Sequence, residues 1–340
     1  MTKLTIKIFF LFGVLFLQGC TDVVLPKVGL SLPNQRVERW VRDKEAMQIE
    51  AQKSDIDLQV LVSDNDAATQ IQQCEALLAQ GIKLLILVPY DASSAATIVE
   101  LAHKQGVPVI SYDRLVLNAD VDLYLSFDNE EVGRIQARYL LEQAPKGKYI
   151  VLAGSPTDNN AKMYRAGAME LLQPEIDNKN IELLLDTTVM DWKPIEAYRL
   201  VKEELSQLSS QGNLKQLSAV LAPNDNTARG VITALAEAGL DGQQVVVTGQ
   251  DGGIESSKLI VSGKQGMTVF KDTRLLSKKA IEMSVKILNG EQLSVTSHVN
   301  NGLFDVKSIL LKPTLVTKNN LDQIFIDSGY IRRQDIYGIE

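Results

Sequence analysis

The chain has 340 residues, 45% of them apolar and 23% charged, with a formal net charge of -7 and a pI near 5.1. Such a length suggests about two domains, each with enough apolar residues to build a core. The acidic balance argues against nucleic acid or anionic lipid as a partner bound through the protein surface.

In chain order, the first segment carries Lys3 and Lys7, an apolar stretch over 8–17, and then Gln18, Gly19 and Cys20. Residues 1–19 read as a signal peptide, too short to span a bilayer as a stable anchor. The run Leu17-Gln18-Gly19-Cys20 resembles a bacterial lipobox, in which cleavage precedes the cysteine and the thiol is lipidated; the alternative is ordinary secretion with a chance cysteine. On the first reading Cys20 is the lipidation site, residues 20–25 are a lipidated tether, and the mature protein is held at a membrane outside the cytoplasm. Removing residues 1–19 leaves 33 basic against 42 acidic residues, or -9. Cys74 then has no disulfide partner and, in the pattern Ile71, Cys74, Leu77, Leu78, is expected in a helix core.

Short β-rich runs follow at 28–32, 58–62, 84–88, 107–112 and 123–127, and again at 149–153, 181–185, 219–222, 245–248 and 267–270. Between them lie helical patterns such as Ala95, Ile98, Val99, Ala102 and Val231, Ala234, Leu235, Ala238, with Gly106 and Gly239 as helix stops. Strands alternating with helices specify parallel sheets of βαβ units, so the fold class is α/β. From Leu293 onward the helical rhythm fades, with Asn300-Asn301-Gly302 and Pro313 as breakers, and strands and loops are expected to pack across the domains.

Ten residues fall at or just past the ends of these runs: Arg39, Trp40, Asp113, Arg114, Asp158, Asn160, Trp192, Asn224, Asp251 and Lys271. Ligands of open α/β sheets dock beyond the carboxyl ends of the strands, so two such crevices facing each other would enclose a small polar molecule. Several of these residues and their neighbours also have a plainer reading. Asp128, Asp158, Asn224 or Asp225 could be helix N-caps, Arg39 and Arg114 surface ion-pair partners, and Trp40 and Trp192 core residues. The combination suits carbohydrate, because carboxylates, amides and guanidinium groups bond adjacent hydroxyls in pairs while flat rings face the sugar's CH surface.

Paired carboxylates also occur in glycosidases, but here they sit beside Arg or amide groups, which should keep them ionised acceptors rather than a raised-pKa acid; no catalytic residue is assigned. No strand is followed by G-x-G-x-x-G or a P-loop, so no nucleotide cofactor is expected. His103 and His298 lie far apart, and Asp64-Asn65-Asp66 lacks the glycine and later glutamate of a calcium loop, so no metal site is expected either. A signal segment in place of a helix-turn-helix ahead of the first strand excludes a cytoplasmic sugar-responsive repressor.

The segments Arg36-Val37-Glu38-Arg39-Trp40, Val88-Pro89-Tyr90, Tyr112-Asp113-Arg114, Ser126-Phe127-Asp128-Asn129-Glu130, Gly154-Ser155-Pro156-Thr157-Asp158-Asn159-Asn160-Ala161-Lys162, Asn224-Asp225, Gly249-Gln250-Asp251 and Asn300-Asn301-Gly302-Leu303 resemble the periplasmic sugar-binding family of the type I, ribose- and galactose-binding kind. The resemblance implies two Rossmann-like domains with parallel sheets joined by three crossovers: residues 26–131 plus 270–298 in the N-terminal domain, 132–269 plus 299–340 in the C-terminal one. It implies a monomeric clamp for a monosaccharide, D-xylose favoured, that feeds the permease of an ATP-driven transporter or presents its ligand to a sensor kinase or chemoreceptor. By position, the eight polar members of the ten match the family's hydrogen-bonding residues, and Trp40 and Trp192 match the rings that enclose the pyranose. Met190-Asp191-Trp192-Lys193-Pro194 keeps the ring but departs from the family in its neighbours, and Cys20 departs from the soluble periplasmic form.

Overall fold

The computed structural model describes residues 24–240, 244–295 and 297–338; the segment 1–19 and Cys20 lie outside them. The first lobe begins with β1 (Lys27–Leu32), α1 (Glu38–Lys53), β2 (Asp57–Val62), α2 (Ala67–Ala79), β3 (Leu84–Leu87), α3 (Ala96–Lys104), β4 (Val109–Tyr112) and β5 (Leu123–Phe127). These strands pair in parallel. β3, with sequence LLIL, and β4 are buried along their whole length, as expected of strands covered by helices on both faces. Cys74 lies buried and free on α2, where burial pushes its thiol up to about 11.

α4 (Asn129–Gln143) opens the second lobe and is followed by β6 (Gly147–Ala153), α5 (Asn159–Asp177), β7 (Ile181–Thr188), α6 (Pro194–Ser210), β8 (Leu217–Leu221), α7 (Asp225–Glu237), β9 (Val246–Val247), α8 (Ile254–Val261) and β10 (Met267–Phe270). Its parallel sheet runs β7-β6-β8-β9, and a parallel bridge between Gln250 and Val269 links it to β10. The chain then returns to the first lobe as α9 (Thr273–Leu288), whose Leu276, Ala280, Ile281 and Met283 share a core with Met47 and Ala51 of α1. β11 (Ser297–Asn300) and β12 (Asp305–Leu311) complete the first sheet in the order β11-β12-β5-β4-β3-β1-β2.

This last placement corrects the expected domain boundary, since residues 299–311 belong with the first lobe and not the second. β12 pairs in parallel with β5, Ser308 opposite Tyr124 and Leu311 opposite Phe127, and so buries Val306 and Ile309. The third crossing therefore falls at Lys312 and Pro313; proline has no N–H to continue the ladder. β13 (Thr314–Thr317) then pairs antiparallel with β10 in the second lobe. The expectation of strands and loops at the end also missed two helical pieces, a π-helical turn over Asp322–Ile326 and α10 (Arg333–Tyr337), whose Phe325 and Ile336 join a core with Phe270 and Tyr330.

Candidate ligand-binding site between the lobes

The carboxyl ends of both sheets face each other across one cavity of about 530 Å³, its mouth included, and all ten candidate residues line it. α1 delivers Arg39 and Trp40, the loop after β4 delivers Asp113 and Arg114, and the start of α5 supplies Asp158 and Asn160. Trp192 follows β7, Asn224 precedes α7, Asp251 follows β9 and Lys271 follows β10.

Among the described residues, five non-glycine residues lining the cavity hold positive φ: Asn65 at 64°, Asp113 at 60°, Asp191 at 53°, Trp192 at 56° and Asp251 at 102°. Such conformations cost on the order of 1–3 kcal/mol each and persist where the surroundings impose them. At Asp113 the imposing contacts are visible, since its main-chain carbonyl accepts from Tyr124 Oη at 3.1 Å, Ser126 Oγ at 2.7 Å and Asn160 Nδ2 at 3.0 Å.

Charges are threaded through the cavity wall. Arg39 Nε donates to Asp43 at 3.1 Å and its Nη2 to Asp113 at 2.5 Å, while Nη1 lies 3.6 Å from Asp251. Lys271 Nζ donates to Tyr164 Oη at 3.0 Å and lies 3.7 Å from Asp113 and 3.5 Å from Asp251. Arg114 Nε meets Asp158 Oδ2 at 2.7 Å, and its Nη1 donates to the Pro89 carbonyl at 3.2 Å. Burial alone would raise the Asp113 carboxyl, but Arg39, Lys271 and Arg114 outweigh it and hold the group below the usual aspartate range. Asp158 goes the other way: burial raises it despite Arg114, a departure from the expectation that every carboxylate here is kept low. Burial and the neighbouring Arg39 lower Lys271.

The rings stand on opposite lobes. Trp40 has the guanidinium carbons of Arg39 and Arg114 at 5.0 and 5.3 Å from its centroid and belongs to the first-lobe core. Trp192 meets Tyr164 edge to face at 6.2 Å and lies directly on Gly154. Among the described residues, Trp192 Nε1, Gln250 Oε1 and Asp251 Oδ1 are buried without a hydrogen-bond partner. Unsatisfied buried polar atoms cost about 1–3 kcal/mol each, so a ligand rich in hydroxyls would satisfy groups the protein leaves open.

Several contacts join the lobes besides the ion pair of Arg114 with Asp158. Tyr90 Oη donates to Asp191 at 2.9 Å, Ala92 N to the Thr157 carbonyl at 2.9 Å, and Glu38 accepts from Ile254 N at 3.3 Å. The structure is thus a closed one.

The plainer readings turn out to be compatible with the sharper ones. Asp158 caps α5 through Asn160 N and also holds Arg114; Asn224 caps α7 in a reciprocal box with Thr227 and also lines the cavity. Asp128 caps α4, pairs with Arg134 at 3.7 Å and stays outside the cavity. Arg39 and Arg114 are buried, not surface residues. Sequence reasoning missed Tyr90, Tyr164, Asp191 and Gln250. Tyr164 stands one helical turn beyond Asn160 on the same face, and Asp191 and Gln250 adjoin Trp192 and Asp251, so spacing could have found these three; Tyr90, at the end of Val88-Pro89-Tyr90, adjoins none of the ten.

Two lobes crossed three times by the chain, with a polar cavity closed between their strand ends, define a solute-binding clamp. The chain belongs to the periplasmic binding protein family, whose domain matches residues 28–292. It is 36% identical to the D-xylose-binding periplasmic protein of Escherichia coli over 91% of this chain and 92% of that one. It is 32% identical to the multiple sugar-binding periplasmic receptor of Rhizobium radiobacter, again covering 91% and 92%. Among solved structures, a carbohydrate transporter solute-binding protein from Chloroflexus aurantiacus in complex with D-glucose superposes with a TM-score of 0.85 at 34% identity, covering 91% of this chain and 97% of that one. The first two of these relatives are periplasmic, and all three are solute-binding proteins and not enzymes.

Proposed function

We propose that the protein captures a monosaccharide, D-xylose first, between its lobes and delivers it to the permease of an ATP-driven transporter, held at the membrane by a lipid on Cys20. The observation that carries this reading is the cavity wall itself, where Asp113, Asp158, Asn160, Asn224, Asp251, Arg39, Arg114 and Lys271 alternate acceptors with donors between two indoles. A pyranose presents that pattern, with hydroxyls that donate and accept around the ring and CH groups on its faces. The 36% identity to a D-xylose-binding protein supports the pentose, and the D-glucose complex of the Chloroflexus aurantiacus protein names the competitor.

Binding is a shift of population. A sugar that touches Asp113 and Arg114 on one lobe and Asp158 and Asn160 on the other stabilises the closed form by contacts the open form lacks. Closure then creates the surface that a membrane partner distinguishes. Choosing xylose over glucose requires a closed pocket with no room for an exocyclic hydroxymethyl. A second reading, presentation of the sugar to a membrane sensor, is favoured by the relative from Rhizobium radiobacter, which is described as a receptor. Pull-down from membranes with and without sugar separates the two, since recovery of transporter subunits alone counts against the sensor.

The test of the ligand is calorimetric titration of protein beginning at Thr21, stripped of sugar by unfolding and refolding, with D-xylose, D-glucose, D-ribose and L-arabinose. Binding at micromolar or tighter, about -8 kcal/mol, to D-xylose ahead of the others is the expected result. Preference for another sugar moves the specificity, and no binding to any of them overturns the sugar reading.

A further inference from the structure

We propose that Asp225 is a positioning residue for ligand binding: its carboxylate clasps the loop 249–253 and holds Asp251 in the conformation that faces the cavity. The proposal rests on the reading of the interlobe cavity as a sugar site. Asp225 opens α7 and is only 7% exposed, yet it is not needed as the helix cap, because Asn224 already accepts from Thr227 N at 2.9 Å. Its side chain turns to the loop instead. Oδ2 accepts from Gly252 N at 3.0 Å and Gly253 N at 2.9 Å, Oδ1 accepts from Gln265 Nε2 at 3.0 Å, and its own N donates to the Gln250 carbonyl at 2.9 Å.

Asp251 is thereby gripped on both sides, at the carbonyl before it and the two N–H groups after it. Its φ of 102° is one that residues with a side chain rarely adopt, so the clasp supplies a restraint the backbone would not choose. The fit is close, since a Cβ on Gly249 would stand 2.3 Å from both Asp225 Oδ1 and Gln265 Nε2. Asp251 in turn faces Arg39 at 3.6 Å and Lys271 at 3.5 Å, and its Oδ1 has no hydrogen-bond partner among the described residues.

The charged groups facing Asp225 are Asp251 on the loop and Glu38, Arg39 and Arg42, which come from α1 across an adjoining recess; Gln265 and Thr268 face it as neutral groups. Burial, with Asp251 adding to it, pushes the Asp225 carboxyl up to about 7. Three N–H groups point at its two oxygens, so a proton on either oxygen meets a donor and loosens the clasp. Sugar affinity should therefore weaken between pH 8 and pH 6.

D-Xylose titrations of wild type, Asp225→Ala and Asp225→Asn across that range test this. Asp225→Ala should bind about tenfold more weakly or worse at pH 8, and Asp225→Asn should lie between the two with a flatter pH profile. Wild-type affinity in Asp225→Ala, or an undiminished pH slope in Asp225→Asn, overturns the proposal; should Asp225→Ala fail to fold by circular dichroism, the slope in Asp225→Asn decides. Wild type that binds none of the sugars defeats the sugar reading instead, and hydrogen exchange of the Gly252 and Gly253 amides then judges the clasp in ligand-free protein. Faster exchange in the variants supports it, and unchanged exchange overturns it.

Discussion

Gly154→Ala is a one-methyl probe of the wall formed by Trp192. A Cβ built on Gly154 would lie 1.9 Å from Trp192 Cη2, 2.2 Å from Cζ2 and 2.3 Å from Cζ3. Carbon atoms rest about 3.5–4.0 Å apart, so the indole must shift by more than ~1 Å. Its backbone offers little freedom for that, because Asp191 and Trp192 are consecutive residues with φ of 53° and 56°. The ring is therefore displaced from the seat on which it would cover a sugar. Overpacking of this kind costs about 1–3 kcal/mol, and if the loss falls on the bound state, affinity drops roughly 5- to 150-fold. Titration calorimetry reads the affinity, and intrinsic fluorescence reads the ring, since the chain has only two tryptophans. A Gly154→Ala protein with wild-type affinity and wild-type emission would refute the assignment of Trp192 to the ligand-facing wall.

Tyr90→Phe removes the hydroxyl that donates to Asp191 across the lobes, and should weaken binding by about 0.5–1.5 kcal/mol through easier opening; small-angle scattering of the loaded protein should show a larger open fraction. Arg114→Lys keeps the charge but loses the planar fork shared among Asp158, the Pro89 carbonyl and the Trp40 face, so D-xylose affinity should fall about tenfold or more in calorimetry. Asp43 is pushed up to about 6 and Asp225 to about 7, both by burial and both from 3.8. The folded state binds these protons more tightly than the unfolded one, so their stabilising contribution, complete below the unfolded value, is lost as pH rises through those values. Ligand-free protein should accordingly gain about 1–2 kcal/mol between pH 8 and pH 6 from these two groups; a Tm that falls over that interval contradicts the assignment.

Much of the architecture was legible because each sheet announces itself locally. Apolar β-rich runs such as LLIL of β3 alternate with helical periods, and all ten expected runs are strands. What local pattern could not supply was the sheet to which a late strand belongs. β12 alternates exposed and buried residues from Asp305 to Ser308, which identifies a strand, but its partner β5 lies some 180 residues earlier and no short-range signal points to it. Pro313 was visible as a breaker, yet its role as the third crossing depends on that distant pairing.

In the site, residue type and position at strand ends were enough to gather ten residues around one cavity, because the topology sends every such end to the same crevice. The conformations that aim them were not legible. Nothing in the sequence marks Asp113, Asp191, Trp192 and Asp251 for positive φ, since these are imposed by contacts such as those of Tyr124, Ser126 and Asn160 on the Asp113 carbonyl. The opposite shifts of Asp113 and Asp158 were equally hidden, because both sit beside arginines in sequence or space and differ in how many cations offset their burial.

The most direct test of a sugar held between the lobes is a paired calorimetric titration of D-xylose into stripped wild type and Asp113→Ala. The expected result is wild-type binding at micromolar or tighter and a loss of about tenfold or more in the variant, with circular dichroism unchanged. Equal affinity in the two proteins would contradict it, because Asp113 stands at the junction of Arg39, Lys271 and Asn160.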